Sequence, residues 1–290
     1  MLGLGNSIAG GAALDTSFTP FDIGNGGDTN QSVGPELWLQ VYNDIHSDEN
    51  SDGSVSHTHN SIANNLDDED RIKFWYDTRI SSDNLVAGFT GIHAVQTTGG
   101  DKPKWDTAAA DIGAIHYPSG KFMDLTANIT FDANTDFTIV MRFKPSSTSS
   151  KALLGHGANE FIRMQSSTVI RIRENGDGAG NHNTEFTSTE ALATDKYITL
   201  MIVRSDGATG NVNIYARSED AGYFDDIGTA SQWGSTDQLP EEIIISNLGA
   251  AADDTANFEG HIKDVIIYNG TAVTKPQRKK LFDYIFAQDY

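Results

Sequence analysis

Phe137-Thr138-Ile139-Val140-Met141-Arg142-Phe143-Lys144 decides the fold. Phe137, Ile139, Met141 and Phe143 share one face at a period of two, while Thr138, Arg142 and Lys144 take the other. That is the pattern of a strand with one side in a core. The same period recurs further along. Val169 to Arg173 sets Ile170 and Ile172 against Arg171 and Arg173, and Val212, Ile214 and Ala216 alternate with Asn213, Tyr215 and Arg217. Tyr197 to Arg204 is apolar on both faces, which predicts a central strand covered twice. Glu241 to Ser246 and Phe258 to Tyr268 add two more runs. Asn175-Gly176-Asp177-Gly178, Ser205-Asp206-Gly207 and Thr209-Gly210-Asn211 stand between them and carry turn chemistry. Many short strands with little helix between them predict an all-β, antiparallel jelly-roll or β-sandwich.

One helix is expected, at the C-terminal end. Thr274-Lys275-Pro276-Gln277 reads as a capping box, with a hydroxyl at the N-cap, proline in the first turn and glutamine three residues on. Leu281, Phe282, Ile285 and Phe286 then form a stripe that should dock on the sandwich. Arg278, Lys279 and Lys280 lie opposite it, as a solvated face or a docking spot for an acidic neighbour.

Residues 1–35 break the pattern. They hold eight glycines, few large apolar residues and no sustained period, so the division expected is an extended arm over 1–35 and a sandwich over 36–290. Ordering 35 residues costs roughly 35–70 kcal/mol of backbone entropy. At about 25 cal/mol per Å², offsetting that takes well over 1,000 Å² of apolar burial or its hydrogen-bonded equivalent. The arm cannot supply this from its own side chains. It is expected to lie along a neighbouring subunit, with a fold-back onto its own domain as the alternative.

Charge narrows the partners. The net charge is −20, and −12 of it falls within residues 1–70, where there is no Lys or Arg. Three of those acids lie in the arm (Asp15, Asp22 and Asp28), and nine lie between Glu36 and Asp70. A chain this acidic is repelled by phosphate backbones and anionic lipid, so neither nucleic acid nor a membrane is an expected partner. No window approaches 18 apolar residues without charge. The opening MLGLGNSIAGGAAL lacks a basic n-region, so it is not expected to act as a secretory leader. With no cysteine in the chain, disulfides, thiolate nucleophiles and iron–sulfur clusters are excluded.

Several constellations carry chemistry on paper. Asp48-Glu49-Asn50-Ser51-Asp52-Gly53 fits the start of an oxygen-ligand calcium loop. Asp48, Asn50 and Asp52 are therefore the candidate calcium ligands, with the Ser54 carbonyl beside them. His59 stands where an EF-hand has glutamate, and an ordinary acidic loop is the competing reading. His57-Thr58-His59 puts two imidazoles on one side of an extended chain, and two ligands do not make a transition-metal site. Tyr223, Phe224 and Trp233, in a long polar stretch, are the candidate glycan contacts, because a ring face stacks under a pyranose. Core or subunit-contact roles compete for each of them. Glycoside hydrolysis needs two carboxylates at a fixed separation. Asp67-Asp68-Glu69-Asp70 and Glu241-Glu242 do not have the spacing that puts two on one strand face, so no catalytic residue is assigned and the chain is not expected to be an enzyme.

The order of motifs resembles the laminin-G-like branch of the concanavalin A-like lectin/glucanase superfamily. Pro35-Glu36-Leu37-Trp38-Leu39 is similar to its first strand and Phe74-Trp75-Tyr76-Asp77 to its W-x-D segment. Ala94-Val95-Gln96-Thr97-Thr98 with Lys102-Pro103-Lys104-Trp105 resembles the next stretch, and Asp136-Phe137-Thr138-Ile139 the strand after it. Phe258-Glu259-Gly260-His261-Ile262-Lys263-Asp264-Val265, Ile267-Tyr268-Asn269 and the closing helix resemble the family's ending. The superfamily's glucanases carry E-x-D-x-x-E or E-x-D-x-E on one strand, and this chain has neither. The glycine-rich start joined to such a domain is also similar to virion structural proteins of tailed bacteriophages. That resemblance implies an accessory virion protein: a capsid decoration, neck or tail-appendage subunit in a homo-oligomer or larger assembly. Residues 1–35 would hold it to other virion proteins and sister subunits, and the lectin-like sandwich would face outward. The alternative it leaves open is a carbohydrate-binding adhesin domain for host recognition. Glycan and calcium are the ligands to look for.

Overall fold

The computed structural model describes residues 18–23, 34–41, 45–47, 57–59, 70–77, 91–107, 113–133, 135–157, 160–174, 182–187, 192, 194, 196–205, 211–218, 225–230, 242–251 and 256–287. In chain order its strands are β1 (Leu37–Gln40), β2 (Ile45–Ser47), β3 (His57–His59), β4 (Ile72–Trp75), β5 (Ala94–Val95), β6 (Lys104–Asp106), β7 (Ala114–Tyr117), β8 (Met123–Phe131) and β9 (Phe137–Pro145). After these come β10 (Lys151–Gly155), β11 (Phe161–Ser166), β12 (Val169–Glu174), β13 (His182–Thr187), β14 (Ile198–Ser205), β15 (Asn211–Ser218), β16 (Asp225–Ala230), β17 (Ile243–Leu248) and β18 (Gly260–Asn269). One helix, α1 (Lys275–Ala287), closes the chain. The back sheet runs β16-β15-β14-β9-β18-β7-β6, with β1 also paired to β18. The front sheet runs β13-β12-β11-β10-β17-β8-β5-β4-β2-β3. Neighbouring strands are antiparallel throughout, as the all-β sandwich reading requires.

The core lies between the sheets, and the period-two runs predict which side chains enter it. Phe137, Ile139, Met141 and Phe143 of β9 do so, with Ile170 and Ile172 of β12 and Ile243 and Ile245 of β17. Trp75 joins them and donates its indole N–H to the Gln40 carbonyl at 3.1 Å, which satisfies the polar end of a fully buried ring. The predicted central strand is β14, flanked by β9 and β15 and buried from Ile198 to Arg204.

A second apolar layer seals the outer face of the back sheet. There Leu281, Phe282 and Ile285 of α1 meet Trp38, Val140, Met201, Val203, Ile266 and Tyr268. The capping glutamine works as its spacing predicts: the Gln277 Oε1 accepts from the Thr274 N–H at 2.8 Å. Arg142 reaches out of the sheet and donates to the Ile285 carbonyl at 3.0 Å, a cation placed on a carbonyl of the last helical turns. Two members of the basic trio pack against the chain itself. The Arg278 guanidinium lies 4.3 Å from the centre of the Tyr215 ring, and the Lys280 ammonium lies 5.4 Å from that of Phe18.

Here the arm departs from expectation. Phe18 and Ile23 are buried in that same second layer, against α1. The short turn Pro20–Asp22 between them is pinned where the Tyr268 hydroxyl donates to the Pro20 carbonyl at 2.8 Å. For residues 18–23 the fold-back onto the chain's own domain therefore replaces the expected contact with a neighbour. A small apolar contribution to an otherwise complete cluster is enough to hold six residues, although it would not hold thirty-five. Residues 1–17 and 24–33 lie outside the described residues.

Candidate functional site

Among the described residues the two outer faces of the sandwich are finished differently. That of the back sheet is sealed by α1 and residues 18–23. That of the front sheet carries one cross-strand row through all ten strands. From β3 to β13 the row reads Thr58, His46, Phe74, Val95, Asp124, Asn247, Gly155, Phe161, Arg173 and Asn183.

At the middle of this row β17 changes character. Its apolar run Ile243-Ile244-Ile245 gives way to Ser246-Asn247, and the pairing with β8 shifts register at that point, from Ile245–Ile129 to Asn247–Asp124. The polar side chains then link into a chain. The Asn247 Nδ2 donates to Asp124 Oδ1 at 2.7 Å, the Ser246 hydroxyl donates to Asn247 Oδ1 at 2.9 Å, and His156 Nδ1 lies 2.8 Å from Ser246 Oγ. Proton order follows from the ends. An ionised carboxylate only accepts, so the Asn247 amide must present its nitrogen to Asp124 and its oxygen to Ser246. The serine hydrogen goes to that oxygen. Ser246 Oγ then accepts from His156 Nδ1–H.

Glu160 fixes the backbone that carries His156. Its backbone carbonyl accepts the His156 N–H at 2.8 Å, while its side chain, 4% exposed, accepts the Ile244 N–H at 3.2 Å. Burial pushes the Glu160 carboxyl above the usual carboxylate range, against the lowering effects of the Ile244 N–H and of His156.

An aromatic platform stands on the other side of Asp124, across β5. Phe74 and Tyr76 stack with ring centres 5.6 Å apart, and His93 meets Tyr76 edge-on at 4.7 Å. All three rings are half-buried. His93 is fixed by the Asp77 N–H, which its Nδ1 accepts at 3.1 Å. Only β5 separates Phe74 from Asp124 in the row, so the platform and the polar chain are about 10 Å apart, two inter-strand spacings. Toward the opposite edge the face is closed. A Cβ on Gly155 would come within 2.5 Å of Ala251, because the segment after β17 crosses β10 there. Phe161 is buried beyond it, under Arg163 and Arg173.

Flat rings beside a carboxylate, an amide, a hydroxyl and an imidazole make a surface that takes a polyhydroxylated ligand with an apolar face. The residues expected for such contacts, Tyr223, Phe224 and Trp233, lie outside the described residues, as do the calcium candidates Asp48, Asn50 and Asp52. His57 and His59 fall on β3, which pairs with β2. Sequence reading missed the polar chain because its members are 90 and 123 residues apart. The one local signal was Ser246-Asn247 interrupting a run of isoleucines.

The family model described as the concanavalin A-like lectin/glucanases superfamily matches residues 119–277, more than half of the chain. Among solved structures, an arabinofuranosidase complexed with arabinofuranosyl-α-1,2-xylobiose is similar at TM-score 0.54 and 13% identity, over 88% of this chain and 63% of that one. A GH54 α-L-arabinofuranosidase soaked with a cyclic sulfate inhibitor is similar at 0.55 and 12%, with the same coverage. Domain 4 of an extracellular GH43 arabinanase from Geobacillus stearothermophilus, in complex with arabinotriose, is similar at 0.45 and 16%, over 69% of this chain and 91% of that domain. The chain thus spans less than two thirds of the arabinofuranosidases' length, and at these identities the likeness is one of fold. No curated protein sequence matches the chain.

Proposed function

From a chain that belongs to the concanavalin A-like lectin/glucanases superfamily, we propose a non-catalytic, glycan-binding module that presents its front sheet outward from a larger assembly. The observation that carries this reading is the asymmetry of the two outer faces. One is closed by the chain's own helix and N-terminal segment. The other sets the Phe74–Tyr76–His93 rings beside the Asp124–Asn247–Ser246–His156 chain. Binding follows from geometry already fixed by hydrogen bonds, with little ordering left to do. The rings lie under the apolar face of a sugar, and the half-buried Asp124 and His156, positioned by the buried Asn247 between them, meet its hydroxyls.

In this reading the assembly is a virion and the chain an accessory subunit of it. The glycine-rich start joined to such a domain supports that placement. Since residues 18–23 serve the chain's own fold, anchoring to sister subunits falls to the rest of residues 1–35.

The test is a glycan array probed with the full chain and with Phe74→Ala and Asn247→Ala. Binding that both substitutions reduce about tenfold or more, the loss of 1.4 kcal/mol or more, supports the front face as the site. Equal signals for all three proteins move the site elsewhere. A reducing-sugar assay on the glycans retained separates binding from hydrolysis, and release of sugar that Glu160→Gln abolishes would overturn the non-catalytic reading.

A further inference from the structure

The geometry points to a second site, on the opposite sheet from the proposed glycan face: a three-ligand site for a zinc-like divalent transition metal formed by Asp106, His116 and His261. His116 of β7 and His261 of β18 are direct cross-strand partners. Their rings stack with centres 4.5 Å apart and planes 16° from parallel. Asp106 of β6 pairs with Ala114, two residues along from His116, so it stands diagonally to the histidines. The small side chain of Ala114 leaves the carboxylate room to reach across β7, and Asp106 Oδ2 lies 2.7 Å from His261 Nε2. One oxygen and two ring nitrogens, one from each residue, all lie within 4.8 Å of one another.

The chemistry of the donors selects the metal. Two imidazoles and one carboxylate suit zinc, copper, nickel or iron, whereas calcium and magnesium demand a shell of oxygens. Tetrahedral zinc with bonds of about 2.0–2.1 Å places its ligand atoms roughly 3.4 Å from one another. To reach that spacing the 2.7 Å Asp106–His261 hydrogen bond gives way and opens by about 0.7 Å, while the His116 nitrogen, within 4.8 Å of both partners, closes on them by rotation of its half-buried ring. A fourth position is left for water, as in other sites with three protein ligands. Lys104 and Lys144 flank the histidine pair in the same cross-strand row, and the Lys144 and Lys263 ammonium groups lie 5.5 and 4.2 Å from the centre of the Tyr197 ring.

Bound metal would act as a clasp. β6 is the edge strand of the back sheet, and the three ligands tie it and β7 to the central β18. In a chain without cysteine, this is a cross-link that the side chains can make.

Zinc chloride titrated into the metal-stripped full chain by calorimetry tests the site. Asp106→Asn and His116→Gln replace half-buried residues, and circular dichroism verifies that both variants fold. His57→Ala/His59→Ala removes the other close pair of histidines. The expected result is one equivalent of zinc whose affinity falls about tenfold or more in each ligand variant and is unchanged in the His57/His59 variant. Zinc should also raise the melting temperature of the parent chain and of the His57/His59 variant, but not that of Asp106→Asn. Absence of binding to the parent chain overturns the proposal, and so does binding that survives both ligand substitutions or disappears with His57 and His59.

Discussion

Glu160 sits where a carboxylate is least comfortable, nearly closed off from water beneath the His156 hairpin. Burial raises its pKa above the ordinary 4.5. Between the unfolded value and the raised folded value, the native state binds the proton more tightly, so wild-type stability declines as pH rises through that interval. Below 4.5 this contribution is fully present. A glutamine in its place would keep an oxygen for the Ile244 N–H without carrying a charge that must be buried. Glu160→Gln is therefore expected to gain in stability relative to the parent chain as pH rises above the ordinary 4.5. Urea unfolding at several pH values reads this directly. A constant offset between the two proteins would show that Glu160 is solvated or paired in the folded chain.

At the scale of elements, Tyr268 joins three pieces: β18, which carries it, the N-terminal segment it bonds, and the layer under α1. Removing its hydroxyl leaves the buried Pro20 carbonyl with only the long 3.5 Å bond from the Ile23 N–H, and losing the stronger of two donors costs about 0.5–1.5 kcal/mol. Tyr268→Phe should destabilise the chain by that amount, and amide exchange should show faster opening at residues 18–23 than in β9. Unchanged exchange there would mean that apolar packing alone holds the segment. The elements themselves were legible to very different degrees. β9, β12, β15, β17 and β18 follow from period-two runs because each buries one face in the same core, and β14 follows from a run that is apolar on both faces. α1 follows from its cap and stripe. The docking of Phe18 and Ile23 was not legible, since two isolated apolar residues have no period, and what holds them is a surface made by strands and a helix far along the chain. The front-face chain and the His116–His261 pair were hidden for the same reason. Register between strands brings them together, and register depends on bulges, such as the one at Ser246, that composition does not reveal.

For the molecule as a whole, the sealed face is both a stability element and a solubility element. Phe18 packs edge-on against Tyr284 at 6.2 Å, and Tyr284 in turn against Trp38 at 6.1 Å. Taking away residues 1–23 uncovers this aromatic row and returns two buried side chains to water. Each is worth about 1.5–3 kcal/mol, so the loss is about 3–6 kcal/mol as an upper estimate. A contiguous apolar patch exposed in this way favours self-association. Deleting residues 1–17 alone spares the seal. The shorter deletion should therefore keep the parent melting temperature and remain monodisperse by light scattering while losing incorporation into particles. The longer one should melt at a lower temperature and associate through the uncovered face. The two deletions separate what the N-terminal region does for the fold from what it does for assembly. If both melt alike, residues 18–23 do not seal the back sheet in solution. If the shorter one still enters particles, the anchor lies in the remainder of the arm or on the sandwich, and residues 24–35 and the acidic stretch between Glu36 and Asp70 become the next segments to probe.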